Sequence, residues 1–280
     1  MDYKIRTATR KELDIAVEWA AKEGWNPGLH DADTFYLTDT QGYYFGFLGE
    51  EPIASISAVA YDQKFGFMGF YIVKPEYRGK GYGLQIWNEA LKHLPTQNIS
   101  LDGVAAQQEN YKKSGFKLAY GNIRYEGKGS DDKLDDKNIV SLSQVQFDQL
   151  VSYDNQVFPT ERRLFLQNWI MQPESLSVAF INERNILGYG TVRKCRVGFK
   201  VGPLFADNET IADALFFKLK SSVGGQESIF LDVPEVNKTA VKLADSYKMK
   251  PMFQTARMYT KEQPKNDLNK IFGVTTFELG

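Results

Sequence analysis

Residues 66–94 read GFMGFYIVKPEYRGKGYGLQIWNEALKHL, and this stretch decides how the chain is organised. The run from Phe67 to Val73 is rich in aromatic and β-branched residues, which favours a strand. Pro75 ends the strand because proline has no N–H group to donate. A glycine-rich turn follows, and apolar residues then recur at helical spacing and predict one apolar helix face. Those residues are Leu84, Trp87, Leu91 and Leu94.

The turn itself, RGKGYG at residues 78–83, stands directly before the predicted helix. The first N–H groups of a helix lack intrahelical partners and lie at the positive end of its dipole. Glycine permits positive φ and has no Cβ atom that would hold an anion away from the backbone. A diphosphate can therefore bind to these N–H groups, with Arg78 and Lys80 as nearby cations. The spacing matches neither the P-loop nor the dinucleotide-binding glycine motif.

Composition limits the class of protein. The chain has 280 residues, of which 42% are hydrophobic and 25% charged, which is typical of a globular protein. A net charge of −1 gives no reason to expect nucleic acid or a membrane as partner. A single cysteine, Cys195, excludes an internal disulfide and favours a reducing cytoplasm, and two histidines argue against a metal site. No apolar signal segment opens the chain, so we expect a cytoplasmic protein.

The elements around the turn are predicted in the order β-α-α-β-β-β-α-β-α-β, with Thr9 and Glu12 forming a capping box on the first helix. Turn and order together resemble the GNAT superfamily (GCN-five-related N-acetyltransferases), whose coenzyme A loop has the pattern [RQ]-x-x-G-x-[GA]. Arg78, Gly81 and Gly83 fill its fixed places. The resemblance implies an α/β (α+β) fold with a mixed, mostly antiparallel central sheet flanked by helices, and acetyl-CoA as cofactor. The residues it implies for coenzyme binding are Tyr71, Ile72, Val73, Arg78, Gly79, Lys80, Gly81, Tyr82, Gly83 and Leu84.

The chain divides into two copies of this pattern. Residues 1–127 form the predicted first GNAT domain, and residues 128–138, rich in Gly, Asp and Lys, form a linker. Residues 139–280 repeat the order of helices and strands, which predicts tandem domains. In the second copy the glycine-rich turn is replaced by FADN at residues 205–208, where an acidic side chain would repel a diphosphate. We therefore expect coenzyme A in the first copy only.

The repeat also equates particular residues. Leu101-Asp102 matches Leu231-Asp232, and with three extra residues in the second copy Arg124 matches Arg257. We expect the second copy to close the acceptor pocket or to serve as structural support.

Tyr111 is the candidate catalytic acid. It stands in the pattern Y-x-x-x-G-F, in which, as the resemblance implies, a tyrosine protonates the departing coenzyme A sulfur. A packing tyrosine with an exposed hydroxyl is the alternative. Where many relatives carry an Asn seven residues earlier, this chain has Val104, which puts the contacts of the pantetheine arm in doubt. Asp102, at the end of the next strand, is the candidate base, or a cap for the following helix.

The loop after the first helix covers the acceptor in this fold, as the resemblance implies. Its charged side chains would attract a cationic amine, although exposed loop charge is the simpler account of each, and its aromatic residues line the pocket or belong to the core. The candidate acceptor residues are Trp25, His30, Asp31, Asp33 and Phe35.

These features predict an acetyl-CoA-dependent N-acetyltransferase that acts on a primary amine, expected to be a small molecule. Direct attack in a ternary complex follows because no cysteine lies near the motifs to carry the acyl group. Two alternatives stay open: a non-catalytic acyl-CoA-binding or regulatory module, and a transferase of longer acyl or aminoacyl groups. No metal, nucleic acid or membrane partner is expected, and the protein is expected to be a monomer or a homodimer.

Overall fold

A computed structural model describes residues 2–133, 136–183 and 185–280. The first half follows the predicted order, and the capping box is present: Thr9 and Glu12 exchange side-chain and backbone hydrogen bonds at the start of the first helix. The elements are β1 (Tyr3–Thr7), α1 (Arg10–Lys22), α2 (Asp31–Thr38), β2 (Tyr43–Leu48), β3 (Glu51–Ala60), β4 (Phe65–Val73), α3 (Tyr82–Leu91), β5 (Asn98–Val104), α4 (Gln108–Lys113) and β6 (Lys117–Lys128).

The second half repeats the order and adds two short strands that the sequence pattern did not predict, one at each end. Residues 134 and 135 of the predicted linker lie outside the described residues. The elements are β7 (Ile139–Ser141), α5 (Phe147–Val157), α6 (Arg163–Trp169), β8 (Ser175–Asn182), β9 (Asn185–Lys194), β10 (Phe199–Ala206), α7 (Glu209–Lys220), β11 (Ser228–Pro234), α8 (Lys238–Ser246), β12 (Lys250–Tyr259) and β13 (Ile271–Gly273).

All strands of the described residues join one mixed, mostly antiparallel sheet, flanked by helices as expected. The strand order is β1-β2-β3-β4-β5-β12-β6-β11-β10-β9-β8-β7, with β13 paired to β10. The two halves therefore exchange their last long strands. β12 of the second half pairs with β5 of the first half, and β6 of the first half pairs with β11 of the second. The sheet does not divide at residue 127, where the sequence predicted the end of the first domain.

Two buried ion pairs cross between the halves at this exchange. Arg124 on β6 donates two hydrogen bonds, both 2.7 Å, to Asp232 on β11. Arg257 on β12 donates two, of 2.9 and 2.6 Å, to Asp102 on β5. The repeat analysis equated the two arginines and the two aspartates, and the structure pairs each arginine with the aspartate of the opposite half. Loss of one partner leaves a buried charge unpaired, which costs about 3–5 kcal/mol.

The apolar face predicted for α3 is partly wrong. Trp87 and Leu94 are buried, but Leu84 is 62% exposed, and the helix buries Ile86 and Ala90 instead. Leu84 lies in the first turn of the helix.

Candidate functional site

A cleft opens where two parallel strands of the first half separate. β4 and β5 pair only from Phe65–Asn98 to Met68–Leu101, and beyond Met68 no strand of the described residues occupies the side of β4 that faced β5. Phe70 has a φ of 47°, which bends β4 at the point of separation, and its carbonyl accepts a hydrogen bond from Ser55 Oγ at 2.9 Å. The resulting cleft has a volume of about 480 Å³.

The glycine-rich turn forms one end of the cleft. Gly79 and Gly81 have φ of 73° and 84°, in the left-handed region that favours glycine. Gly83 is needed for space instead, because a Cβ atom there would lie 2.6 Å from Tyr71 Oη. The first helical hydrogen bond runs from Gln85 N to Gly81 O at 3.2 Å, so the N–H groups just before Gln85 have no helical acceptor. These groups form a site suited to an anion.

The two cations of the turn are placed differently. Arg78 lines the cleft, where its Nε donates to Val73 O at 2.8 Å and its Nη2 donates to Glu23. Lys80 lies outside the lining residues, with its Nζ 5.5 Å from the centre of the Tyr77 ring. An anion in the turn therefore competes with Glu23 for the guanidinium of Arg78.

Tyr111 lies at the floor of the cleft and is 8% exposed. Its ring stacks on Trp87, with ring centres 5.6 Å apart, and a Cβ atom at Gly103 would come within 2.3 Å of it. Burial raises the pKa of the Tyr111 hydroxyl well above its usual value, and the nearby Tyr71 adds to this effect. The hydroxyl therefore keeps its proton at neutral pH.

Asp102 also borders the cleft, but its carboxylate is engaged inside the sheet. Besides the two hydrogen bonds from Arg257, it accepts one of 2.7 Å from Asn122 Nδ2, and its side chain is completely buried. It does not cap the following helix, whose first turn is preceded by Val104. A carboxylate held by an arginine and an amide is poorly placed to accept a proton from a substrate, so the geometry favours a structural role for Asp102.

The residues predicted to bind the acceptor do not come together. Trp25 lines the cleft, and its carbonyl accepts hydrogen bonds from Arg124 and Lys200. The other four lie outside the lining residues. Each of the four is engaged elsewhere. His30 pairs with Glu174, and Asp33 pairs with Arg10 at the surface. Asp31 pairs with Arg193 in the interior, and Phe35 packs in the core against Phe70 and Trp169.

Four lining residues come from the end of the chain and were missed by sequence reasoning: Phe253, Thr255, Phe277 and Glu278. The first two lie on the exchanged strand β12. The last two lie in residues 271–280, all of which are buried. Neither segment carries a motif, and only the long-range exchange of strands brings them to the first half.

The second half has the same separation of strands, but it is filled. β10 and β11 pair only from Phe199–Ile229 to Val201–Leu231. β13 then lies against β10 in antiparallel orientation, and the N–H of Val274 donates to Asp232 O on β11 at 2.8 Å. The chain's own terminal segment thus occupies the position that is open in the first half.

The acidic replacement for the glycine-rich turn is also engaged. Asp207 forms an ion pair of 2.9 Å with Lys270 and accepts a hydrogen bond of 3.0 Å from Tyr153 Oη. None of residues 205–208 is a glycine, and Asp207 brings a negative charge where residues 78–83 bring Arg78 and Lys80.

Among the described residues, no group of three or more His, Cys, Asp or Glu side chains is arranged to hold a metal ion. No helix in the part of the chain that the structure covers is long and apolar enough to cross a membrane.

Comparison with known proteins identifies both halves. Residues 10–116 match the profile of the acetyltransferase (GNAT) family, and residues 150–273 match a second acetyltransferase (GNAT) domain profile. A holothin acyltransferase from Pseudoalteromonas sp. (strain SANK 73390) is 29% identical over 275 residues, which cover 98% of this chain and 94% of that protein.

Solved structures show the same fold. A protein classed as an acetyltransferase from Pyrococcus horikoshii superposes with a TM-score of 0.84 at 21% identity, covering 99% of this chain and 96% of that one. A tandem GNAT protein from the clavulanic acid biosynthesis pathway superposes with a TM-score of 0.63 at 8% identity, covering 94% of this chain and all of the other (100%).

Proposed function

Because this chain is a tandem-domain acyltransferase of the GNAT family, we propose that its first half transfers an acetyl group from acetyl-CoA to the primary amine of a small molecule. One observation carries the proposal: of the two equivalent strand separations among the described residues, only that between β4 and β5 is open, and it is bordered by both the glycine-rich turn and Tyr111.

The coenzyme follows the cleft from end to end. Its diphosphate binds the N–H groups at the start of α3, where the helix dipole favours negative charge. Arg78 turns from Glu23 to the diphosphate. The pantetheine arm lies along the free side of β4 at Tyr71, Ile72 and Val73, and the thioester reaches the bend at Phe70.

Tyr111 acts as the acid in the transfer. The amine nitrogen attacks the thioester carbonyl, the carbon–sulfur bond breaks, and the sulfur takes a proton from the Tyr111 hydroxyl. Direct attack is favoured because Cys195 is 1% exposed and is not among the lining residues, so no thiol is available to form an acyl-enzyme. A lysine-like amine is protonated at pH 7, and freeing it costs about 4–5 kcal/mol, so the site also needs a proton acceptor.

The proposal that the transferred group is acetyl has an alternative. The Pseudoalteromonas relative is named for acyl transfer to holothin, without reference to acetyl groups. A transferase of longer acyl groups is therefore the second candidate function.

Release of free thiol, measured for a panel of primary amines with acetyl-CoA and with longer acyl-CoAs, tests the proposal. Tyr111→Phe keeps the ring on Trp87 and is expected to lower turnover about 10²–10⁴-fold without changing the affinity for acetyl-CoA. Tyr44→Phe is the control, because it removes the hydroxyl of a tyrosine that does not line the cleft. Thermal protection by acetyl-CoA without thiol release from any donor and amine would instead identify a binding module.

A further inference from the structure

The terminal segment, residues 271–280, runs from the separation between β10 and β11 to the separation between β4 and β5. It fills the separation in the second half through β13 and then crosses to the first half. A Cβ atom at Gly202, which follows the last residue of β10 that pairs with β11, would lie 2.4 Å from Thr275 O. At Gly69, which follows the last residue of β4 that pairs with β5, it would lie 2.3 Å from Glu278 O. The segment therefore reaches β4 where the cleft begins, next to Phe70.

The carboxylate of Glu278 is buried and half satisfied. The residue is 2% exposed and borders the cleft. One carboxylate oxygen accepts a hydrogen bond from Thr276 Oγ1, while Oε1 has no hydrogen-bond partner among the described residues. A buried acceptor without a partner is costly, and a bound ligand that donates a hydrogen bond would remove that cost.

Three cations lie near this carboxylate, but their hydrogen bonds go elsewhere. Arg124 is held by Asp232, and Arg193 is held by Asp31 through Nε and Nη2, while Arg193 Nη1 has no hydrogen-bond partner among the described residues. Lys200 donates to the carbonyls of Trp25 and Asn26, at 3.3 and 2.9 Å. Glu278 therefore contributes charge to this cluster without being tied to it.

The surroundings of Glu278 in the cleft are aromatic. Trp25, Phe70, Phe253 and Phe277 line the same cleft. Such walls favour an acceptor with an apolar or aromatic body, and the carboxylate of Glu278 beside them is suited to its cationic group.

We infer that Glu278 is a catalytic residue: its carboxylate binds the ammonium group of an apolar acceptor and takes its proton before the nitrogen attacks the thioester. The inference rests on the proposed N-acetyltransferase function. It also gives the second half of the chain a direct part in the active site of the first.

The proton balance is complete. Glu278 takes one proton from the ammonium ion, and the nitrogen lone pair forms the bond to the carbonyl carbon. The carbon–sulfur bond breaks with its electron pair on sulfur, which takes the proton of Tyr111. The nitrogen then loses a second proton, which restores Tyr111, and Glu278 releases its proton to solvent. The products are the amide, the free thiol and one proton.

Two classes of amine separate catalysis from structural support. An alkylamine is charged at neutral pH and needs the base, whereas an aromatic amine is uncharged and does not. Glu278→Gln is expected to lower turnover of the alkylamine about 10²–10⁴-fold and that of the aromatic amine less than about tenfold, with unchanged affinity for acetyl-CoA. Equal losses for both amines, or no loss, would overturn the inference.

Asp232→Asn is the matched control, because Asp232 is equally buried and faces the same Arg124 and Lys200 but does not line the cleft. It is expected to leave the ratio of the two turnovers unchanged, and the same selective loss in both variants would overturn the assignment. If Glu278→Gln does not fold, Glu278→Asp keeps the charge but shortens its reach. Glu278→Asp is expected to lower turnover of the alkylamine at least about tenfold and to leave turnover of the aromatic amine unchanged. Wild-type turnover of the alkylamine by this variant would overturn the inference. Absence of thiol release by the wild-type protein with every amine would refute the proposed function itself.

Discussion

Replacing Asp102 by Asn removes one charge from the crossed ion pair with Arg257. The Asp102 carboxylate accepts three hydrogen bonds, of 2.9, 2.6 and 2.7 Å, in a completely buried position. Asparagine leaves the guanidinium buried without a counter-charge, which costs about 3–5 kcal/mol. At roughly 2 °C per kcal/mol for a chain of this size, we expect the melting temperature to fall by about 6–10 °C.

The internal repeat supplies a matched variant. Asp232 pairs with Arg124 in the same bidentate way, so Asp232→Asn is expected to lower the melting temperature by a similar amount. Well below both melting temperatures, each variant should keep turnover within a few-fold of the wild type, measured as thiol release per folded molecule. The reasoning is refuted if Asp102→Asn loses more than about a hundredfold while Asp232→Asn does not, because that loss is the size expected for a missing general base.

Three further predictions concern the turn and the partly buried pair of His93 and Asp39. Glu23→Gln removes the competitor for the loop arginine and should tighten acetyl-CoA binding by up to about fivefold in calorimetry, less at high salt; weaker binding would contradict this. Gly81→Ala, at a φ of 84°, should weaken acetyl-CoA binding about 5–30-fold, whereas Gly224→Ala, at a matched φ of 80°, should leave it unchanged. Equal affinities of the two variants for acetyl-CoA would contradict binding at the turn. The His93–Asp39 contact raises the pKa of His93 because its Nε2–H donates a hydrogen bond to the carboxylate. Its stabilisation is therefore complete below the unfolded pKa of histidine and is lost as pH rises through the raised folded value. The expected fall in melting temperature with rising pH should be larger in the wild type than in His93→Gln. An equal fall in both proteins would contradict this role of His93.

Local sequence patterns were sufficient for the element order of the first half and for the turn at residues 78–83. Each depends on residues close together in the chain: the capping box at Thr9, the proline that ends β4, and the glycines before α3. The repeat also predicted which residues of the two halves are equivalent. It did not predict that Arg124 and Arg257 each pair with the aspartate of the opposite half. The exchange of strands leaves the local sequence pattern of each half unaltered.

The acceptor side of the cleft was beyond sequence reasoning for a related reason. The resemblance implies that Asp31 and Asp33 lie in a loop over the acceptor, but they lie in α2, and their charges are engaged by Arg193 and Arg10. Glu278 lies 200 residues from Arg78 in a terminal segment without helical or strand periodicity. Its place at the cleft depends on β13 filling the second half, a tertiary feature that no short pattern encodes.

A crystal structure of the protein with acetyl-CoA tests the central claim most directly. We predict one coenzyme per chain, with its diphosphate within hydrogen-bond distance of the N–H groups between Gly81 and Leu84 and its arm beside β4. A coenzyme bound between β10 and β11 with β13 displaced, or a coenzyme elsewhere with residues 78–83 unoccupied, would contradict the account.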